Sequence, residues 1–232
     1  MEVHQFRYNG DNLSYLLVSG KEALAVDAGS VDAICTMVEE KGLALLGVTN
    51  THDHPDHTQG NHEICRRLNV PLLDHLALAR KGEFFLGDES IKIIATPGHS
   101  LDSVCFVGNG FILTGDTLFN GTVGNCFSGD LDAFFDSIVK ILALDPATSV
   151  YAGHDYVREA IGFARSIEPE NPFLGSFLEA YDPSLVVSTL EMEKKVNPYL
   201  RFDDPKMIAL LEARGLPVTS SRVRWRSLME VY

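Results

Sequence analysis

The spacing of apolar and polar positions divides the chain into strand-like runs and amphipathic stretches. Residues 13–18 and 23–26 are apolar runs separated by Ser-Gly-Lys-Glu, which predicts a β-hairpin. Ile34, Met37 and Val38 follow helical spacing that stops at Gly42. Further strands are predicted at residues 45–49, 91–95, 104–107, 111–113 and 149–154, and helices at residues 58–68 and 131–144, the second capped by Asp130.

The pattern changes after about residue 156, where no further strand is predicted. Asn171-Pro172 and Asp204-Pro205 each place a cap and a proline at the start of a helix, and Gly215 is expected to end the second one. Ser188 and Glu191 have the spacing of a capping box. We therefore predict an α/β domain at residues 1–165 and a helical domain at residues 166–232 that packs on it.

Composition narrows the classes of function. A 232-residue chain with 45% hydrophobic residues can bury a sizeable core. Its net charge of −13 argues against nucleic acid and anionic membrane surfaces as partners. No apolar run approaches the roughly 18 residues of a membrane span, and the first residues lack signal-peptide character. The four cysteines form no CxxC pair, so we expect reduced thiols in the cytoplasm.

The densest group of chemically active side chains is Thr-His-Asp-His-Pro-Asp-His at residues 51–57. His52 and His54 are two residues apart in an extended segment and therefore point to the same side. Pro55 suits the start of a helix, so Asp56 and His57 fall in the first helical turn and point elsewhere. The motif thus offers two pairs of ligand-type groups aimed at two points.

Three other predicted strands end in a small-residue turn followed by a ligand-type side chain. Strand ends in layered α/β proteins commonly converge on one crevice. The convergence would assemble seven candidate metal ligands: His52, His54, Asp56, His57, His99, Asp116 and His154. Burying so many titratable groups without a cation would be costly, and seven ligands exceed the needs of one tetrahedral zinc ion. We predict two divalent ions sharing one carboxylate, with zinc preferred over iron or manganese.

Thr-His-x-His-x-Asp-His, followed in order by Pro-Gly-His, Gly-Asp and Gly-His, resembles the metallo-β-lactamase superfamily. Within it the chain is most similar to glyoxalase II, the hydroxyacylglutathione hydrolase family. The further matches are "DNLSYLL" at residues 11–17, "TGDTLF" at residues 114–119, "AGHDY" at residues 152–156 and "STLEMEKKVNPYLR" at residues 188–201. The resemblance implies a four-layer αβ/βα sandwich with a C-terminal helical extension that carries part of the substrate site.

The resemblance also implies roles for the seven residues. His52, His54 and His99 would hold one metal, and Asp56, His57 and His154 the other. Asp116 would bridge the two. The implied reaction is hydrolysis of S-2-hydroxyacylglutathione or a related small-molecule thioester to an acid and a thiol, by a metal-bridging hydroxide that Asp56 orients.

The substrate contacts depart from the family pattern. Asn125 stands where the family has a lysine that binds a glutathione carboxylate, and Phe127 stands where it has a tyrosine. Tyr156 matches the family. Arg222 and Arg224, with Arg226 nearby, only loosely match its C-terminal basic pair. We therefore expect detectable but poor hydrolysis of S-lactoylglutathione, with a high KM.

Two alternatives remain at this stage. A persulfide dioxygenase of the same superfamily uses one iron, held at the positions of His52, His99 and Asp116. The helical tail and the loop after Asp116 favour the hydrolase. The second alternative is a non-catalytic binding protein that retains the metal. We interpret His4, His62 and His75 as ordinary surface or structural residues. Asp53 is expected either to face solvent or to support a metal ligand. The sequence does not indicate an oligomeric state.

Overall fold

The computed structural model describes residues 1–231, and for Val231 the backbone alone. Its first sheet contains four strands in chain order: β1 (Glu2–Tyr8), β2 (Asn12–Ser19), β3 (Glu22–Val26) and β4 (Ala44–Thr49). The first three are antiparallel, and β4 runs parallel to β3 after the crossover helix α1 (Val31–Lys41).

The second sheet has six strands in the order β12-β11-β8-β7-β6-β5. Their bounds are β5 (Glu83–Leu86), β6 (Glu89–Ala95), β7 (Val104–Gly108), β8 (Phe111–Gly115), β11 (Ser149–Ala152) and β12 (Ser188–Thr189). β11 is parallel to β8, and the other neighbours are antiparallel. A separate short hairpin consists of β9 (Leu118–Phe119) and β10 (Thr122–Val123).

The remaining helices are α2 (Pro55–Thr58), α3 (Asn61–Leu68), α4 (His75–Lys81), α5 (Leu131–Leu142), α6 (Val157–Ile167), α7 (Phe173–Ala180), α8 (Leu190–Val196), α9 (Pro205–Ala213) and α10 (Ser221–Val231). A 3-10 turn (Pro198–Leu200) joins α8 to the segment before α9. None of the helices in residues 1–231 is long and apolar enough to cross a membrane.

The two sheets pack face to face, with helices on both outer sides. Leu24 of β3 and Phe106 of β7 share the central core. Strand β8 is buried on both faces, since Leu113 points into that core while Ile112 points to the helices outside. Trp225 of α10 packs in that outer cluster with α5, so the C-terminal helices join the layer on the second sheet. The predicted four-layer sandwich with a helical extension is confirmed.

Several local predictions are confirmed by their capping contacts. The helix predicted from Ile34 ends at Gly42, which has a left-handed φ of 57°. Asp130 caps α5 by accepting a hydrogen bond from the Ala133 backbone at 2.9 Å. Asp204 does the same for Lys206 at the start of α9. Each signal is local, so the sequence is enough to find it.

The continuous helix predicted at residues 58–68 is wrong, because the structure breaks it at Gln59 and Gly60. In an unbroken helix the carbonyl of His57 would accept from the backbone of Asn61. Instead the Asn50 side chain donates to that carbonyl at 2.7 Å. Gly60 also lies so close to Ala28 that a Cβ would overlap the Ala28 carbonyl. Contacts from distant segments therefore set this helix start.

The prediction of no strand after residue 156 is also wrong. Ser188 and Thr189 form β12 at the edge of the second sheet, paired with β11. Ser188 is therefore not a helix cap; Thr189 caps α8 by accepting from Met192 at 3.2 Å. A two-residue strand is too short to show an alternating pattern.

Helix α7 begins at Phe173, one residue after the proline that was predicted to start it. The Asn171 side chain accepts a hydrogen bond from the Phe173 backbone at this end of the helix.

Candidate metal centre

Four strand ends meet at one edge of the sandwich. The segment after β4 comes from the first sheet, and the segments after β6, β8 and β11 come from the second. Together they place all seven sequence-predicted ligand residues in overlapping clusters of ligand atoms. The convergence predicted from the sequence is thus present in the fold, at the junction of the two sheets.

The first cluster contains three imidazoles. The ligand-type nitrogens of His52, His54 and His99 all lie within 4.8 Å of one another. His54 Nδ1 is 3.1 Å from His99 Nε2. Because His52 and His54 belong to one extended segment while His99 follows β6, the cluster joins the two sheets.

The second cluster combines one carboxylate with two imidazoles. Asp56, at the start of α2, lies with its Oδ2 3.3 Å from His154 Nε2 and 3.7 Å from His57 Nε2. His57 is fully buried, whereas the Asp56 side chain is 43% exposed. This half-exposed carboxylate therefore faces both the cluster and the solvent.

Asp116 lies between the two clusters. Its Oδ1 is 3.3 Å from His57 Nε2, and its Oδ2 is 3.5 Å from both His99 Nε2 and His154 Nε2. Gly153 permits this position, because a Cβ at residue 153 would overlap the Asp116 carboxylate. The Asp116 carboxylate thus contacts members of both clusters, which is the geometry that a shared metal ligand requires.

Four buried ligand-type atoms of the centre have no hydrogen-bond partner among the described residues: His52 Nε2, both ring nitrogens of His57, and Asp116 Oδ1. His52, His57 and Asp116 each offer a ligand atom within 4.8 Å of those of the other two. Buried polar atoms of this kind are rare unless an ion or water satisfies them. The donor set of imidazoles and carboxylates suits zinc, iron or manganese, so the residues present fit divalent metal ions.

The charges around His57 also favour a bound cation. Burial lowers the pKa of an imidazole, but Asp27 and Asp116 on either side raise the pKa of His57 to about 11. Burial would likewise raise the pKa of Asp116, but His154 and His57 hold it well below its usual range. The negative charge that stabilises an imidazolium here would equally stabilise a bound cation.

Asp27 is the main residue that the sequence interpretation missed. It is fully buried, accepts from the Thr51 backbone at 2.8 Å and the Thr51 hydroxyl at 2.7 Å, and lies 3.1 Å from His57 Nδ1. Its φ of 51° is left-handed, an uncommon conformation for a non-glycine residue. The signal was available, since the apolar run of β3 ends directly in this aspartate.

Asp11 and Asn12 also support the centre without having been predicted. Asp11 Oδ1 is 3.2 Å from His154 Nδ1, on the ring edge opposite the cluster. The Asn12 amide donates to Asp56 Oδ2 at 3.0 Å. Groups that orient a ligand imidazole or carboxylate in this way typically strengthen metal binding.

The predicted substrate contacts fall into two sets. Asn125 and Phe127 lie beside the first cluster: the Asn125 carbonyl accepts from His99 Nδ1 at 3.0 Å, and the Phe127 ring packs edge-on against His54 and His99. Phe127 is nevertheless 67% exposed. Tyr156 stacks on His154 with ring centroids 5.0 Å apart. These three residues surround the opening of the centre.

Arg222 and Arg224 are placed differently. Arg222 pairs with Asp136, at 2.6 Å, and with Asp132, and Arg224 pairs with Asp203. Both guanidinium groups are therefore bound to carboxylates of this chain.

His75, predicted to be structural, lies 3.1 Å from Asp102, and the Asp53 backbone also donates to that carboxylate. Asp53 itself is exposed, and all four cysteines are free thiols.

Comparisons with known proteins agree with this geometry. Residues 7–89 and 79–154 match the metallo-beta-lactamase superfamily, and residues 155–223 match the hydroxyacylglutathione hydrolase C-terminus. The hydroxyacylglutathione hydrolase of Thiobacillus denitrificans is 36% identical over 86% of this chain and 84% of its own length. That of Anaeromyxobacter dehalogenans is 34% identical over 91% and 89%. The crystal structure of ETHE1 from Myxococcus xanthus shares the fold, with a TM-score of 0.70 and 22% identity over 100% of this chain and 91% of that one.

Proposed function

This chain belongs to the hydroxyacylglutathione hydrolases of the metallo-beta-lactamase superfamily, and we propose on that basis that it is a metal-dependent hydrolase of thioesters. The substrate class is an S-2-hydroxyacylglutathione or a related small thioester, and the products are an acid and a thiol. The observation that carries the proposal is the position of Asp116 between two three-residue clusters of ligand atoms.

The proposed ligand assignment follows the two clusters. His52, His54 and His99 would hold one ion, Asp56, His57 and His154 would hold the other, and Asp116 would be available to both. We propose zinc as the preferred metal, with iron and manganese compatible with the same donors. The bound ions would supply a hydroxide at neutral pH and polarise the thioester carbonyl.

The side chains of this protein prepare the reacting groups. Burial would raise the pKa of Asp56, but the hydrogen bond from Asn12 lowers it, so this carboxylate stays ionised and can both hold an ion and orient the attacking group as a hydrogen-bond acceptor. Asp27 and Asp11 orient His57 and His154 through their Nδ1 atoms. The thiol leaves as a stable thiolate, so we assign no general acid to that step.

The substrate opening suggests weak affinity for glutathione itself. Asn125 is neutral, and Phe127 cannot donate the hydrogen bond of a tyrosine. Arg222 and Arg224 are already paired with carboxylates. We propose that S-lactoylglutathione is hydrolysed with a high KM. We also propose that the preferred thioester has a thiol part that carries fewer carboxylates or is more apolar than glutathione.

Metal analysis combined with a thioester panel tests the proposal. Protein purified without chelator is expected to contain two divalent ions per chain. It should hydrolyse thioesters across a series in which the acyl group and the thiol are varied separately. No hydrolysis of any thioester by the two-metal form would contradict the proposed function and favour a binding role.

A mononuclear iron persulfide dioxygenase remains the second candidate, because His52, His99 and Asp116 also lie together. That reaction has no use for Asp56, His57 and His154 as ligands. Oxygen consumption with a glutathione persulfide by protein containing one iron per chain would support this alternative over the hydrolase. Two ions per chain without oxygen consumption would exclude it.

A further inference from the structure

A buried carboxylate outside the metal centre has no part in the mechanism above. Glu193 of α8 is fully buried, and its oxygens accept three hydrogen bonds. The donors are the Gly121 backbone at 2.8 Å, the Ser188 hydroxyl at 2.6 Å and the Asn197 amide at 3.4 Å. The Asn120 amide in turn donates to the Ser188 hydroxyl at 2.7 Å.

All three donors to Glu193 are uncharged. A carboxylate is costly to bury without a cation, and an apolar side chain of similar size would suit a core position better. Stability alone therefore gives no reason for a glutamate here. A specific hydrogen bond to the backbone of another segment does give one.

The segment that Glu193 binds leads to the opening of the metal centre. Gly121 is the turn between β9 and β10, five residues after Asp116. On one side of this turn, the Phe119 ring packs against His154 and Tyr156, with centroids 5.8 and 5.1 Å away. On the other side, the chain continues to Phe127, whose backbone donates to the His99 carbonyl at 3.0 Å.

The turn itself has little freedom once it is bound. Gly121 has a φ of 97°, and a Cβ there would lie 3.1 Å from Ala160 of α6. The turn is thus held between α6 on one side and the Glu193 carboxylate on the other. Phe119 precedes this turn in the chain, and the segment carrying Asn125 and Phe127 follows it.

We infer that Glu193 is a positioning residue for residues 118–127, called here the substrate loop. Its carboxylate fixes the Gly121 turn from the helical domain, and the turn sets the walls of the thioester site. This inference rests on the proposed function, because it treats the substrate loop as part of a thioester site. Glu193 would thus act from the helical domain without contacting either the metal ions or the substrate.

Three variants of the metal-loaded enzyme test the inference. Glu193→Leu removes the acceptor and is expected to raise KM about tenfold, the equivalent of 1.4 kcal/mol, while kcat stays within about twofold. Glu193→Gln keeps an oxygen for Gly121 and should restore KM to within about threefold of wild type. Met207→Ala, a fully buried position in α9, is the control that lowers stability and leaves KM unchanged.

A structural readout separates this inference from the proposed function. Backbone amides of residues 118–127 should exchange hydrogen faster in Glu193→Leu than in wild type or Met207→Ala. A wild-type protein without thioesterase activity would contradict the proposed function alone. Wild-type KM and wild-type exchange in Glu193→Leu would overturn the inference.

If Glu193→Leu does not fold, Ser188→Ala provides the milder change. It removes one of the three donors to the carboxylate, together with the acceptor for the Asn120 amide of the substrate loop, and leaves the Gly121 bond in place. We expect KM to rise about threefold together with faster exchange in the substrate loop. An unchanged KM and unchanged exchange would overturn the inference in this form as well.

Discussion

Asp116 contacts members of both ligand clusters, so its replacement has a sharp consequence. Asp116→Ala is expected to abolish hydrolysis and reduce the metal content while leaving the circular dichroism spectrum close to that of wild type. Asp88→Ala is the control, because it removes an exposed carboxylate that belongs to none of the candidate ligand groups. Near-normal turnover in Asp116→Ala would remove this residue from the mechanism.

We propose that Asn125 limits how well a glutathione carboxylate can be bound. A charge-assisted hydrogen bond is typically worth about 1.5–3 kcal/mol, so Asn125→Lys should lower the KM for S-lactoylglutathione by about tenfold or more. The effect should appear in KM rather than kcat, because the contact lies away from the reacting carbonyl. Asn125→Gln is the neutral control. A low wild-type KM that Asn125→Lys does not change would show that another cation already makes this contact.

At the scale of secondary-structure elements, the start of α3 depends on a glycine. In Gly60→Ala the new Cβ would overlap the Ala28 carbonyl, so the helix start or the segment carrying Asp27 must move. Overpacking of this kind typically costs about 1–3 kcal/mol, which urea denaturation would detect. Gly162→Ala in α6 is the matched control, since nothing lies within 4 Å of its new Cβ. That change should stabilise the protein by about 0.5–1 kcal/mol. Equal stability in both variants would contradict this account of the break.

Some of the secondary-structure elements could be predicted from the sequence, and others could not. Helix α1 and the start of α5 were predictable because periodicity and a capping residue lie within one segment. The break before α3 was not, since it depends on Ala28 and Asn50 from other parts of the chain. Asp27 directly follows the apolar run of β3, as the predicted ligands follow their strands, but its role is shown only by its contacts with Thr51 and His57. Strand β12 exists only through its pairing with β11.

At the scale of the whole molecule, Glu193 makes stability depend on pH. Burial raises its pKa from 4.5 to about 7, so the folded protein holds a proton that the unfolded chain releases. The stabilisation from this proton is complete below pH 4.5 and is lost as the pH rises towards 7. The loss amounts to about 3 kcal/mol, at 1.36 kcal/mol per pKa unit.

Comparison with Glu193→Gln isolates this effect from the other titrating groups. The difference in unfolding free energy between the variant and wild type should grow in favour of the variant from pH 4.5 to 7 and stay constant above. Urea denaturation of the metal-loaded proteins across this range provides the measurement. A difference that does not vary with pH would contradict a raised pKa for Glu193.

Because the ligand clusters join two sheets, their assembly also bears on the order of folding and metal binding. The first cluster is complete only when residues 52–54 have met residue 99, and the second only when residues 56–57 have met residue 154. β8 and β11 are parallel partners that lie far apart in the chain, and such non-local pairs form slowly. Metal uptake should therefore be among the last events of folding. We therefore expect the complete centre to form only once both halves of the sandwich have docked, so that full metal uptake would mark the completion of the fold.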